Sequence, residues 1–534
     1  MITPAGEEPS YAVRSPRSDI PARARNALAD RPTDPARLRV VVLRTMPPGS
    51  GLEPIAEALE HRLAQSGPSI EATGRLRRQF VMDDPQERAE LAAEADAVIL
   101  VAGPGATSVT LSLQYAVELE RSGVPTVTTV FTPLVETARH VCDRAAAPLR
   151  WVAAPAATEP DATAEAADRA IAELTRPLSA EETATGIRPA RREPEIAVRG
   201  TLRDIDDAFL TRGWSDGLPI TPPTRAAVEE MLTGTTRGRE EIVTTRFRPE
   251  GLPATVENVA INAVLAGARP AQLPAILAAA SMMGDQAFES QTRSVNSFAW
   301  AQLISGPYAA AAGLHGGLNA LGPGHRANAT IGRALHLMIR NLGHAVDGVT
   351  TSVTQGTPAG WGFAFTENTA QSPWEPFHVS EGFAPDESTS SLFTMGFAHD
   401  GTFYYGDLDD IARSLASLAD LPAGALVLLS AKRARALADA GMSKQDVEGH
   451  LYRHAVAPLG RLRSSGFWPA TRARMELGLP RTLPRDYLVR RDDEEVPVYA
   501  PGSIKVAVVG GDVASVAQAW VLALHDTASV DAWR

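Results

Sequence analysis

Four short apolar segments, separated by amphipathic stretches, dominate the first third of the chain. They are residues 38–43, 97–102, 124–131 and 149–153. Strands that alternate with helices of 10–15 residues predict a parallel sheet, and parallel strands are apolar throughout because helices cover both faces. We therefore expect an N-terminal α/β domain with a parallel sheet flanked by helices. Ligands of such sheets lie beyond the carboxyl ends of the strands, here at the turn formed by residues 103–107.

Composition and charge limit the classes of function. The chain has 534 residues, of which 44% are hydrophobic and 21% charged, as in ordinary globular proteins. A net charge of -12 argues against nucleic acid as a partner. The single cysteine, Cys142, excludes a disulfide or a cysteine-based metal site within the chain. No run of 18 apolar residues and no apolar leader segment is present, so we expect a cytoplasmic protein without a membrane span.

Changes in composition also suggest the domain boundaries. Residues 1–37 are polar and rich in Pro and Arg, which predicts a disordered arm. Residues 38–175 make up the α/β domain, and the polar, aperiodic residues 176–198 read as a linker. Mixed strand and helix patterns over residues 199–534 predict a larger α+β domain that carries the substrate site. Its last elements are predicted as a strand, a Gly-Gly turn and a helix over 515–524.

Residues 304–341 combine glycine turns with one amphipathic helix. Ile331, Ala334, Leu335, Met338, Ile339 and Leu342 form one apolar stripe at helical spacing. Arg333, His336 and Arg340 lie on a second face, so two interpretations stay open: a structural helix with a solvated basic face, or a cradle for an anion at the helix start. The candidate residues for the second interpretation are Arg333, Arg326, Asn328 and Asn319 for binding and His325 for catalysis.

Four further candidates lie elsewhere in the larger domain. Asp216 follows Trp214 in a rigid turn, where it is either a turn-forming side chain or a catalytic carboxylate. Asn262 is adjacent to Asn258 on a predicted helix. Glu367 and His378 lie in a segment of strands and long loops, with His378 on a predicted strand, and could act as general base and acid. We predict no metal site, because no HExxH motif or compact histidine cluster is present.

One run of the N-terminal domain resembles a known family. The sequence AVILVAGPGATSVTLSLQYAVELERSGVPTVTTVFTPLVETAR is similar to the UGSC-like domain, which is named for a turn bearing cysteine or selenocysteine, and in outline to half of an aspartate/glutamate racemase. The resemblance implies a thiol or selenol nucleophile in that turn, but residues 103–107 contain no sulfur, so thiolate chemistry does not transfer. Gly105 and Thr107 could still bind a carboxylate or oxyanion, and Cys142 is expected to be a small buried hydrophobe.

The larger domain also resembles the region that accompanies UGSC-like domains in bacterial proteins. The similar stretches are GWSDGLPITPPT, ATVENVAINAVLAGARP, GPGHRANATIGRALHL, FTENTAQSPWEPFH and GMSKQDVEGHLY. This resemblance implies no particular reaction and leaves any cofactor unknown.

Three hypotheses of function follow from the sequence. The first is an enzyme that acts on a small carboxylate or sulfur-containing metabolite by elimination, addition or bond cleavage. The second is a redox enzyme of reductive cleavage that would need a flavin or a partner thiol. The third is a non-catalytic paralogue that lost its nucleophile. In each case we expect a small-molecule ligand, a homo-oligomer, and neither nucleic acid nor membrane as partner.

Overall fold

The computed structural model describes residues 9–32, 38–45, 53–65, 71–76, 85–155, 160–285, 287–395, 401–404, 407–418, 424–465, 467–476, 478 and 482–534. Up to Gly200 the elements in chain order are β1 (Tyr11–Val13), β2 (Arg23–Ala24), β3 (Arg39–Arg44), α1 (Glu53–Gln65), β4 (Glu71–Leu76), α2 (Pro85–Glu94), β5 (Ala97–Val101), α3 (Ala106–Arg121), β6 (Thr126–Phe131), α4 (Val135–Ala145), β7 (Trp151–Ala154), α5 (Pro160–Thr175), β8 (Ile187–Arg188) and β9 (Val198–Gly200).

The part of the chain after Gly200 is longer, and its helices and strands follow no regular alternation. Its elements are α6 (Leu202–Thr211), α7 (Arg225–Leu232), β10 (Ile242–Phe247), β11 (Leu252–Thr255), α8 (Val256–Leu265), α9 (Leu273–Met282), α10 (Ala287–Arg293), β12 (Ala299–Ser305), α11 (Tyr308–Ala311), α12 (Arg326–Asn341), β13 (Phe363–Phe365), α13 (Phe377–Ser380), β14 (Thr389–Met395), β15 (Gly401–Tyr404), α14 (Leu408–Leu418), β16 (Gly424–Leu429), α15 (Ala431–Asp439), α16 (Lys444–His454), β17 (Val456–Pro458), α17 (Leu459–Arg463), α18 (Trp468–Glu476), β18 (Glu495–Pro497), β19 (Ile504–Val508) and β20 (Val516–Ser529).

The N-terminal sheet is parallel, as predicted. Its strand order is β4-β3-β5-β6-β7, and every neighbouring pair runs in the same direction. All five residues of the central strand β5 are buried, which explains its uniform apolar sequence. The edge strand β4, EATGRL, has no apolar run because it pairs with a neighbour on one side only, and the sequence pattern did not reveal it.

The larger domain is built on a mixed sheet of seven strands. The order is β13-β12-β14-β20-β16-β19, and β15 also pairs with β20. The predicted helix over 515–524 is wrong, because β20 spans this segment and pairs with β14, β15 and β16. The valine and tryptophan residues of VAQAWVLAL suit a central strand, where pairing and packing outweigh the helix propensity of alanine.

Helix α12 packs against this sheet through the apolar stripe predicted for it. All six residues of that stripe are buried. Gly332 faces β13 so closely that an added Cβ would lie 2.1 Å from the Cα of Phe363. Any larger side chain at this position would therefore separate α12 from the sheet.

The arm and the linker pair with each other, which differs from the disordered arm that the sequence predicts. Among the described residues 9–32, β1 pairs antiparallel with β9, β2 pairs with β8, and Ile20 bridges to Arg191. The remaining arm residues, 1–8 and 33–37, lie outside the described residues. Composition alone shows that neither segment can form its own core, but it does not show that two such segments can satisfy each other's backbone groups.

A buried cluster of charges joins the two domains. Glu250 of the larger domain accepts hydrogen bonds from His140 Nε2 at 3.0 Å, Arg144 Nε at 3.0 Å and Arg293 Nη2 at 2.8 Å. Burial on its own would raise the pKa of Glu250, but the charges of Arg293, His140 and Arg144 outweigh it and lower that pKa. Removing one member would leave an uncompensated buried charge, which makes this cluster costly to break.

His344 lies beside the same cluster and should make stability depend on pH. It is buried, and its Nε2 accepts a hydrogen bond from Arg17 Nε at 3.2 Å. Burial and the charges of Arg17 and Arg144, opposed by Glu250, lower its pKa from 6.5 to about 3. The unfolded chain therefore binds a proton as pH falls below about 6.5 while the folded chain does not, so stability is lost between pH 6.5 and 3, by up to about 1.4 kcal/mol per pH unit.

The measurement is denaturant unfolding across this pH range for the wild type and for His344→Gln, whose amide oxygen can accept from Arg17 without titrating. The variant should show a shallower loss of stability. The exposed His61 of α1 supplies the control, and His61→Gln should leave the slope unchanged. Equal slopes for all three proteins would contradict the assignment.

Candidate functional site

Arg333 of α12 binds the loop that precedes α7. Its Nε and Nη2 donate to the two carboxylate oxygens of Asp216 at 2.7 and 2.8 Å, and Nη2 also donates to the carbonyl oxygens of Leu218 and Pro219, both at 3.1 Å. Burial would raise the pKa of Asp216, but the bonds and charge of Arg333 lower it overall. The structure therefore uses Arg333 as a clamp on this loop with Asp216 as its partner, and Asp216 also accepts the Leu218 N–H at 3.2 Å as a turn-forming side chain does. The roles of Arg333 in ligand binding and of Asp216 in catalysis stay predictions.

The other candidates of this segment close the glycine loop upon itself. Asn328 accepts from the backbone N–H of His315 at 3.0 Å and donates to the carbonyl oxygens of His315 and Ala320, both at 2.9 Å. The left-handed Asn319, at φ 60°, donates to Pro323 at 2.9 Å, and Arg326 is exposed. The ring of His325 stacks on His315 at 4.0 Å. These side chains thus hold the loop through its own polar groups, and the anion cradle stays a prediction.

Asn262 holds the N-terminal arm in place. Its side-chain amide donates to the carbonyl oxygen of Pro16 at 2.9 Å and accepts from Asn341 Nδ2 at 2.9 Å. The side chain is fully buried. These bonds tie the arm to α8 and α12, so the structure gives Asn262 a role in holding the arm, and its predicted role in substrate binding stays a prediction.

The turn after β5 is covered by the larger domain. Ser352 Oγ accepts the Ala106 N–H at 2.8 Å, at the start of α3, and Thr107 Oγ1 donates to the carbonyl oxygen of Ser290 at 3.4 Å. Gly105, at φ 123°, lies so close to Val295 that an added Cβ would be 2.9 Å from its Cγ1. Loops of the second domain therefore contact the turn at Gly105 and Thr107, where the sequence predicts a crevice, and ligand binding there stays a prediction.

Glu367 and His378 lie deep in the larger domain. Glu367 accepts the Phe377 N–H at 2.6 Å and the Val508 N–H at 3.5 Å, and burial raises its pKa despite the opposing charge of Lys444. His378 belongs to the short helix α13 and not to the predicted strand, because it follows Pro376 at the start of that turn. It is fully buried, and burial lowers its pKa. Neither residue pairs with Arg333, whose partners lie at Asp216 and its loop.

A different set of side chains surrounds an open cavity of about 470 Å³ beside α16. The cavity lies between this helix, the start of β19 and the segment around α13. Its polar lining consists of Glu375, Ser380, Lys444, Gln445, Glu448, Tyr452 and Lys505. A cavity of this size, with convergent charged groups, suits a small polar ligand.

Lys444 is the most deeply buried charged residue of this cavity. The residue is 2% exposed, yet the bond recorded for its ammonium group is a long one, 3.5 Å from Nζ to the carbonyl oxygen of Glu375. The ammonium also lies 5.4 Å above the ring of Phe377. A buried ammonium with one long hydrogen bond among the described residues favours an anion in the cavity.

Glu448 and Lys505 complete the charged wall. Glu448 Oε1 accepts the Val506 N–H at 3.0 Å, and burial raises its pKa although Lys505 and Lys444 oppose the shift. Lys505 is held by Glu381 at 2.7 Å, and His525 lies 3.4 Å from the same carboxylate. The pKa of Glu381 falls to about 2, since His525 and Lys505 outweigh the effect of burial. One carboxyl group with a raised pKa thus lies beside two ammonium groups.

A compositional signal could have identified this wall. Only three of the 51 Lys and Arg residues are lysine, and they are Lys432, Lys444 and Lys505. In a chain that otherwise uses arginine for positive charge, a lysine marks a position where a compact ammonium is not equivalent to a guanidinium. Two of the three line the cavity.

A second cavity of about 470 Å³ lies at the carboxyl ends of the parallel strands β16 and β19. Asn319 and Gly322 contribute to its wall, together with Ser430, Gly510 and Gly511. No charged side chain lines it among the described residues. The cavity beside α16 is therefore the better candidate for acid–base chemistry.

The clamp between Arg333 and Asp216 predicts a stability effect. Asp216 is 1% and Arg333 16% exposed, so Asp216→Asn should lower the free energy of unfolding by about 3 kcal/mol, because it leaves the guanidinium without its charged partner. In the control Asp347→Asn, the lost pair with Arg340 spans 3.5 Å and Asp347 is 78% exposed, so the loss should stay below about 1 kcal/mol. Denaturant unfolding of both variants tests this, and equal losses would show that the clamp is not structural.

The lone cysteine should be unreactive. Burial raises the pKa of the Cys142 thiol to about 12, and its Sγ lies 4.0 Å from the carbonyl oxygen of Leu149. Alkylation by iodoacetamide at pH 8 should be slow in the folded protein and fast in denaturant, because only the thiolate reacts. Rapid modification of the folded protein, followed by mass spectrometry, would contradict the structural role assigned to Cys142.

Comparisons with known proteins bear on the N-terminal region. A search of curated proteins finds no match to the chain. Two resemblances stay predictions. One is that of the larger domain to regions that accompany UGSC-like domains, and the other is that of the N-terminal domain to half of a racemase. The model of the UGSC family matches residues 12–180, which include the sheet β4-β3-β5-β6-β7 and most of the arm. Residues 12–180 therefore form a UGSC family domain.

Proposed function

We propose that this protein is an enzyme of small-molecule metabolism that binds a small carboxylate or related anion in the cavity beside α16. The observation that supports it most is the buried Lys444 ammonium, which lines that cavity with one long hydrogen bond among the described residues. The chain as a whole carries a net negative charge, which repels anions. The two lysines of the cavity supply the local positive charge that attracts one.

Glu448 is the proposed proton-transfer group. Burial raises the pKa of its carboxyl group, a direction that makes a carboxylate a stronger base for proton transfer. As the carboxylate it would take a proton from the carbon next to the bound carboxylate of the substrate, while the two ammonium groups stabilise the resulting negative charge. This chemistry is lyase-like, because the electron pair left on carbon can expel a leaving group.

Glu367 has a supporting role in this proposal. It is not among the residues that line the cavity, and it accepts backbone N–H groups at the start of α13 and the end of β19. The charge of Lys444 acts on it. Its carboxyl group therefore contributes to the field around Lys444 and reaches no substrate directly.

Location and assembly are part of the proposal. Among the described residues, no helix is sufficiently long and apolar to cross a membrane. We place the enzyme in the bacterial cytoplasm, an assignment supported by the single cysteine and the arginine-rich composition. A homo-oligomer is likewise proposed.

Binding can be tested with a panel of two- to five-carbon carboxylates, followed by isothermal titration calorimetry of the best ligand. Lys444→Gln should weaken binding by roughly 10- to 150-fold, because a charged hydrogen bond contributes about 1.5–3 kcal/mol. The matched control is Lys432→Gln. Lys432 also lies 3.5 Å from a carbonyl oxygen, that of Val513, but it is exposed and outside the cavity lining. Equal affinity of both variants would contradict the assignment.

Proton transfer needs a separate measurement. In D₂O, the protein should replace carbon-bound hydrogen next to the carboxylate of the ligand by deuterium, and proton NMR follows the loss of that signal. Glu448→Gln should abolish the exchange while leaving carboxylate binding largely intact. Its rate in the wild type should rise with pH through the raised pKa of Glu448, since the base must be deprotonated. Binding without exchange in the wild type would favour the third hypothesis, a metabolite-binding paralogue.

A further inference from the structure

Two helices of the larger domain bring three metal-binding side chains together. Helix α14 contributes Asp409 and helix α16 contributes His450 and His454, and one potential ligand atom from each lies within 4.8 Å of the other two. We propose that these residues form a site for one divalent transition-metal ion of the zinc class. The site is independent of the proposed anion cavity, because neither histidine lines it.

The helix geometry aligns the two histidines. They are four residues apart on α16, so they lie one above the other on the same face. Their rings stack at 4.0 Å with an interplanar angle of 21°. The Nδ1 atom of His454 lies 2.8 Å from the carbonyl oxygen of His450. This contact fixes the orientation of the His454 ring, as hydrogen bonds to protein groups do for histidines that bind metals.

Asp409 adds the charge that the pair needs. Its Oδ1 lies 2.6 Å from Nε2 of His450. In the absence of metal this contact is a hydrogen bond. In the proposed site, a rotation of the carboxylate directs Asp409 Oδ1 and His450 Nε2 to the same ion. Nearby Arg413 is directed to Asp410, so it does not take the place of the ion at Asp409.

The donor set determines the class of ion. Two imidazole nitrogens and one carboxylate oxygen suit Zn²⁺, Co²⁺, Ni²⁺ or Cu²⁺, whereas Ca²⁺ and Mg²⁺ prefer oxygen ligands only. The side chains of Asp409 and His450 are 48% and 26% exposed, so an ion can enter from solvent. Three protein ligands leave one tetrahedral position for water.

The chain contains its own comparison for this geometry. His315 and His325 also stack at 4.0 Å, with an interplanar angle of 18°. Among the described residues, however, no acidic side chain joins them within metal-binding distance. If ring stacking alone were sufficient for binding, the two histidine pairs would bind metal equally.

Metal binding should tie α14 to α16. The same helix α16 presents Lys444, Glu448 and Tyr452 to the cavity. An ion held between the two helices would therefore stabilise the helix that supports the proposed anion site, without contact with the anion.

The experiment uses the full-length protein after treatment with a chelator and its removal. Isothermal titration calorimetry with ZnCl₂ should show one ion per chain, and the thermal unfolding midpoint should rise with ZnCl₂ but not with CaCl₂. His454→Ala and Asp409→Asn should each weaken binding by at least about tenfold, because each removes a ligand or its charge. His325→Ala is the control and should bind like the wild type.

Two results would overturn the site. One is the absence of stoichiometric Zn²⁺ binding by the folded wild type. The other is unchanged binding by both His454→Ala and Asp409→Asn, which would place the ion elsewhere. His454 is exposed, so its variant should fold normally, and circular dichroism of each variant separates lost binding from lost structure.

Discussion

The buried carboxylate of Glu250 is the interaction on which the association of the two domains depends. Its oxygens receive donors from α4 of the UGSC family domain and from α10 of the larger domain. An ion cluster of this kind contributes little net stability when compared with apolar packing, but each member is costly to remove once the others are buried. The cluster therefore specifies how the domains fit together. At a second contact between the two domains, Ser352 and Val295 cover the turn at Gly105.

This closure concerns the turn that gives the UGSC family domain its resemblance to the family. In the resembled family the turn bears the nucleophile, whereas here it bears no sulfur and its first helical N–H is already bonded to the second domain. The open charged cavity lies in the larger domain, around α16. The chemistry that we propose is accordingly separated from the family's characteristic turn.

Sequence patterns predicted elements with strong periodicity and missed long-range pairings. The apolar stripe of α12 and the buried strand β5 were predicted because hydrophobic spacing is a local property. Strand β20 was missed, since its pairing with β14 and β16 decided its conformation. Arg333 was correctly placed on a second face, but spacing on a helix cannot show that Asp216, 117 residues away, occupies its guanidinium. The cavity around Lys444 was missed because its wall joins residues from three distant segments.

The scarcity of lysine has a practical consequence for labelling the protein. Reagents that acylate or alkylate primary amines find three side-chain targets in the whole chain, beside the terminal amine. Lys432 is exposed, while Lys444 and Lys505 line the cavity, where Lys444 is buried and the Lys505 side chain is 21% exposed. A fluorophore or a crosslinker directed at amines would therefore label Lys432 on the surface, and any further labelling of a side chain would lie in the wall of the cavity beside α16. In a protein with ordinary lysine usage, the same reagents would label the surface without discrimination.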